Sequence, residues 1–179
     1  MNEIGLFYNL ASDIIISHRQ IEGAKKDKTC LTIAFTCNAD GSDRLSSLFI
    51  DHVARSHCFN KKTGEEHGFY YLHNKKAWMT RVFFQMFIKY FNNHVNKRRV
   101  LLLLDNAPSH IWNENHKVDF SNLNIIFLPL NTISKLQSMN ADIIASFKHH
   151  YHKCQLEYII NIIDAGKNSY KIDQLIVIH

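Results

Sequence analysis

The stretch Val100–Leu104 runs five large aliphatic residues straight into Asp105, and it limits the fold more than any other feature of this sequence. A strand with no polar alternation is buried on both faces, as in the parallel part of a mixed sheet. A second run of similar length, Leu123–Leu128, ends at Pro129. Two such strands need a crossover between them and helices to cover them.

Upstream the pattern changes. Thr29–Cys37 roughly alternates, Asn38-Ala39-Asp40-Gly41-Ser42 supplies an Asp-Gly turn, and Leu45–Val53 is apolar again, which predicts a β-hairpin. Ile4–Leu10 is a strand candidate whose upstream half has nowhere to come from, since translation begins almost on top of it. Phe69–Leu72 is a short strand candidate. From Thr80, an N-cap type, Phe83, Met86, Phe87, Tyr90 and Phe91 recur at helical steps. After Asn131, the residues Ile143, Phe147, Tyr151, Cys154, Tyr158 and Ile162 mark a long helix that stops near Gly166. The expected fold is α/β: three antiparallel strands, then alternating helices and parallel strands in one mixed sheet flanked by helices. Residues 1–166 make the domain and 167–179 a C-terminal tail.

Composition agrees with one core. The chain has 179 residues, 46% hydrophobic, with 6 Gly and 2 Pro, which excludes disorder and collagen. No apolar run approaches the roughly 20 residues that cross a bilayer, and Met1–Phe7 has no secretory pattern, so cytoplasm or nucleus is expected. Cys30, Cys37, Cys58 and Cys154 form no C-x-x-C pair and read as buried or half-buried thiols. The net charge of +5 and pI near 9.0 favour polyanionic partners, although each short Lys or Arg cluster taken singly reads as a solvated turn.

Three segments carry a family resemblance. Asn74-Lys75-Lys76-Ala77-Trp78-Met79-Thr80, then Val100–Leu104 with Asp105-Asn106-Ala107-Pro108-Ser109-His110, then Phe127-Leu128-Pro129-Leu130-Asn131-Thr132 to Leu136-Gln137 together resemble the DDE superfamily endonuclease domain of pogo/Tigger-type transposases. The resemblance runs from Asn2 to about Tyr158. It implies a ribonuclease H-like fold, a nuclear location, DNA as partner, and Mg²⁺ or Mn²⁺ as cofactor, with no small-molecule substrate. Metal-assisted phosphoryl transfer needs hard oxygen ligands on both the attacking and leaving oxygens, and three acidic positions supply them in the family.

The second of those positions is matched by Asp105, at the end of an apolar strand. The first falls on Asn2, in Asn2-Glu3-Ile4-Gly5 where the family has Asp-Glu-Thr-Gly, and the third on Asn140 in Leu136-Gln137-Ser138-Met139-Asn140-Ala141-Asp142. Strand alternation turns Glu3 away from the position of Asn2, making it a poor substitute. Asp142 points away from the site if Asn140 is already helical, so only a loop there permits rescue. Asparagine keeps an oxygen but not the charge, so metal affinity falls. The resemblance thus implies an inactive, N-terminally truncated DDE-type domain with weak, non-specific DNA affinity. Lys75, Lys76 and His110 are the candidate nucleic-acid contacts. An active endonuclease using Asp105 with Asp142 or Glu3, and a non-catalytic protein-interaction remnant, are the alternatives. The family's helix-turn-helix module has no counterpart ahead of Asn2.

Two further groups are read as structural. His149, His150, His152 and Cys154 put two ligands on one helix face, too few for zinc, and are expected as a solvated face. Trp78 and Trp112 could stack on unpaired bases, but a tryptophan beside a helix start more often packs, and packing is the expectation.

Overall fold

The computed structural model describes residues 1–8, 29–55, 59, 62–67, 69–111, 120, 122–129 and 139–166, with 139–141 as main chain only. In chain order these hold β1 (Asn2–Leu6), β2 (Leu31–Phe35), β3 (Leu48–Asp51), β4 (Tyr70–His73), α1 (Arg81–Val95), β5 (Val100–Leu104), β6 (Leu123–Phe127), a π-helical turn (Met139–Ile144) and α2 (Ala145–Asp164).

The hairpin forms as its turn chemistry dictates. Gly41 takes φ +71°, a conformation costly for residues with a Cβ, while Asp40 Oδ1 accepts the Ser42 N–H at 3.0 Å and Asn38 Oδ1 accepts that of Asp43 at 3.0 Å. β2 and β3 then pair antiparallel through Ile33↔Phe49, and β1 pairs antiparallel with β2 from Asn2↔Phe35 to Leu6↔Leu31. β4 joins β3 in parallel, and β5 pairs in parallel with β6 from Val100↔Leu123 to Leu104↔Phe127.

Three expectations change. The first strand is Asn2–Leu6, not Ile4–Leu10: the Tyr8 carbonyl accepts from Tyr151 Oη at 2.8 Å and from Gln155 Nε2 at 3.2 Å, so α2 takes the main chain out of the ladder. Residues 9 and 10 lie outside the described residues. The strands divide into a four-stranded mixed sheet and a two-stranded parallel one. β1 still approaches β5, but only at its end, where the Met1 nitrogen donates to the Leu103 carbonyl at 3.1 Å. Finally, β5 is buried on one face rather than two. Leu102 and Leu104 are buried against α1, whereas Leu101 and Leu103 are 52% and 47% exposed.

The helix α1 joins the two sheets. Thr80 Oγ1 accepts the Phe83 N–H at 3.3 Å to start it, and Asn96 in the left-handed region ends it. Its stripe of Phe84, Phe87, Ile88, Phe91 and Val95 packs on Ala34, Leu48 and Ile50 of the larger sheet and on Leu102 and Leu104 of the smaller. On the opposite face Ile144 and Tyr151 pack on Ile4, Leu6, Leu31, Ile33 and Phe49. β3 therefore alternates between two helices, Leu48 and Ile50 toward α1 and Phe49 toward α2.

Candidate functional site around Asp105

Asp105 leaves β5 into a loop that turns at Pro108 and Ser109, with the His110 N–H donated to the Ala107 carbonyl at 2.9 Å. The turn folds the His110 ring inward. It is 1% exposed and stacks on Phe84 of α1 with centroids 4.8 Å apart. Its Nδ1 lies 2.6 Å from Asp105 Oδ1 and 3.2 Å from the Asp105 carbonyl, and its Nε2 lies 2.7 Å from Glu3 Oε1.

Both ring nitrogens face acceptors, so both carry protons and the ring is an imidazolium. Burial is the largest single influence on it and works against the charge, but Asp105 and Glu3 together outweigh burial and push its pKa up to about 10. The same contact holds the Asp105 carboxyl below its usual range, against the opposing pull of burial.

This arrangement changes the standing of Glu3. Alternation does turn it to the opposite face from Asn2, which shares the α2 side with Ile4 and Leu6. On its own side, however, it meets His110 and through it Asp105. Local pattern could not show this, since the connecting imidazole arrives from the other sheet. Asn2 is 3% exposed and its Oδ1 accepts the Glu3 N–H at 2.8 Å. The main chain of Asn140 lies in the π-helical turn, which packs against β1. The segment is helical rather than a loop, and Asp142 is exposed.

Lys75 and Lys76 are exposed in the turn before α1. Trp78 departs from expectation: it is 61% exposed rather than packed. Ala77 takes the inward place instead, at φ 53° and 2% exposed, with its carbonyl accepting from Thr32 Oγ1 at 2.6 Å. On α2, Cys154 Sγ lies 3.7 Å from His150 Nε2, and both are exposed together with His149 and His152. Trp112 lies outside the described residues.

A two-metal centre does not fit these residues. Asp105 and Glu3 spend their contacts on one imidazolium, position 2 offers a neutral amide, and no group of three or more His, Cys, Asp or Glu side chains among the described residues is arranged to hold a metal.

A carboxylate at the end of a parallel strand, beside an antiparallel meander and under a covering helix, defines a DDE-type domain. The chain belongs to the DDE superfamily endonuclease family, whose model matches residues 28–176. More narrowly, its relatives include Tigger transposable element-derived proteins and CENP-B homologues, consistent with the pogo/Tigger type. It is 27% identical over 179 residues to CENP-B homolog protein 2 of Schizosaccharomyces pombe, covering 96% of this chain and 34% of that protein. It is 28% identical over 176 residues to ARS-binding protein 1 of the same yeast, covering 95% and 34%. Against Tigger transposable element-derived protein 4 of Mus musculus it is 27% identical over 172 residues, covering 93% and 32%. The chain spans about a third of the length of these relatives. No solved structure matches it.

Proposed function

We propose that this is a non-catalytic DDE-type domain that binds DNA through its phosphates and acts in the nucleus. The observation that carries the reading is the state of Asp105: the one acidic position that remains is neutralised by a buried imidazolium, while the other two positions are asparagines. Two-metal phosphoryl transfer needs anionic oxygens free to take up cations, and here one imidazolium takes up an oxygen of Asp105 and an oxygen of Glu3. Affinity for DNA is supported by the net charge of +5, by the exposed Lys75 and Lys76, and by relatives whose names are those of an ARS-binding protein and of CENP-B homologues.

Phosphate contacts release counterions, so binding to a mixed-sequence duplex falls steeply as salt rises. Binding measured by fluorescence anisotropy at low salt and again at physiological salt tests this. Affinity that is undetectable at low salt, or indifferent to salt, defeats it and favours a protein-interaction remnant.

One observation favours a second reading, an active nuclease. Glu3 and Asp105 face the same imidazole, so two carboxylates do converge. Incubation with supercoiled plasmid and Mn²⁺ decides between them. The first reading expects no nicking; nicking that disappears in Asp105→Ala establishes the second.

A further inference from the structure

A tryptophan ring left mostly in water is unusual for a residue of that size, and here the exposure is built in. Asn74 braces the turn at both ends: its Oδ1 accepts the N–H of Lys76 at 3.0 Å and that of Trp78 at 3.3 Å, and its Nδ2 donates to the Trp78 carbonyl at 2.6 Å. The Asn74 N–H is itself donated to the Asp51 carbonyl at 2.9 Å, and Ala77 is pinned to Thr32 from below. With Thr80 capping α1 two residues later, the backbone on each side of the ring is fixed. The indole is held outward rather than frayed.

We propose that Trp78 is a stacking platform for an unpaired nucleobase, lying beside the Asp105 cluster and serving single-stranded rather than duplex nucleic acid. Every base has a π-face that stacks on indole whatever its sequence, whereas inside a duplex both faces are already taken. The surroundings suit a strand. Lys76 Nζ sits 5.7 Å from the ring centroid, and Lys75 and Arg81 are exposed on either side, so cations for the backbone flank the ring. The contact of an exposed ammonium with indole is weaker than base stacking, and the lysine gives way to a base while keeping its charge for the phosphate.

The location connects the platform to the site. Ala77 is anchored on Thr32, which pairs with Gly5; two residues along β2, Ala34 pairs with Glu3. At about 3.3 Å per residue those two positions are roughly 7 Å apart along the strand. From the other direction, Phe84 on the first turn of α1 stacks on His110. The anchor of the platform and the Glu3–His110–Asp105 cluster are therefore both tied to β2 and to the first turn of α1.

This inference rests on the nucleic-acid reading above, and the test separates the two. The full chain is titrated into a fluorescein-labelled oligo-dT and into a blunt duplex of equal length, using the parent, Trp78→Ala, Trp78→Phe and the Lys75→Ala/Lys76→Ala pair. Removing a stacked base contact weakens oligo-dT binding about five- to 100-fold in Trp78→Ala, leaves duplex binding unchanged, and is largely rescued by phenylalanine. The lysine pair weakens both ligands and lowers the salt dependence. Because the ring is exposed, Trp78→Ala melts with the parent. Unchanged oligo-dT affinity in Trp78→Ala, or equal losses on both ligands, overturns the platform alone. A parent that binds neither ligand at low salt overturns the platform and the DNA-binding reading together.

Discussion

Replacing His110 with glutamine should remove an alkaline loss of stability that the parent shows. A free imidazole titrates near 6.5, and in the folded chain His110 titrates at about 10. Between those values the folded state keeps a proton that the unfolded chain has released, so stability falls as pH rises: the contribution is complete below about 6.5 and gone above about 10. The full difference, at about 1.36 kcal/mol per pH unit, is about 5 kcal/mol. That is a ceiling, because Glu3 and Asp105 keep 17% and 20% of their side chains exposed to water, which screens the pair. A loss of about 2–3 kcal/mol in the parent is the working expectation. Glutamine preserves an amide donor but carries no titrating proton. Urea melts of both proteins at the two ends of the window give the difference of differences, which cancels the other groups that titrate there. The variant should also be weaker at the lower pH, since two carboxylates then lose their shared cation. Equal pH slopes in parent and variant would refute the buried imidazolium, and with it the account of why Asp105 is occupied.

Three other outcomes can be measured on the same material. Changing Asn2 and Asn140 together to Asp should lower the melting temperature in chelator, because position 2 is 3% exposed and a carboxylate there must leave water. Mn²⁺ should reverse that loss in the double variant and do little to the parent; equal responses would remove the asparagines from the old metal positions. Tyr71→Phe deletes the phenol that donates to the fully buried Asp51 carboxylate at 2.9 Å, and should cost about 1.5–3 kcal/mol in urea melts; no loss would mean that other donors suffice. Thr80→Ala removes the cap of α1 and should cost about 0.5–2 kcal/mol by the same assay, with a neutral result denying the cap any weight.

What was legible in the sequence follows from how locally each feature is determined. The Asp-Gly turn and the Thr80 cap depend on neighbours within a turn or two, and each sits where local chemistry puts it, whereas the buried stripe of α1 is rotated from the expected one: Phe87 and Phe91 are buried, Met86 is exposed, and Phe84 and Ile88 take inward places. The end of β1 was misjudged because Tyr8 surrenders its carbonyl to Tyr151 and Gln155, more than 140 residues away. Five consecutive aliphatic residues in β5 are compatible with one covered face or two, and the sequence of the strand does not say which; here α1 covers Leu102 and Leu104. Trp78 was misjudged because packing beside a helix start is the usual fate of such a residue. Nothing short of the Ala77 backbone conformation and its bond to Thr32 shows that the small neighbour takes the inward place. At the site, Asp105 was legible from its strand. The role of Glu3 was not, since alternation gives a facing direction but not what waits there.

The imidazolium between Glu3 and Asp105 also alters what a phosphodiester meets on arrival. Three bare carboxylates would present a charge of minus three to an already anionic backbone, and such a pocket admits DNA only after divalent cations have screened it. Here asparagine at position 2 and a proton that His110 keeps up to about pH 10 leave a net of about minus one on Glu3, His110 and Asp105. On the non-catalytic reading proposed above, no divalent cation is then needed to screen the surface, so DNA binding in EDTA is expected to equal binding in magnesium.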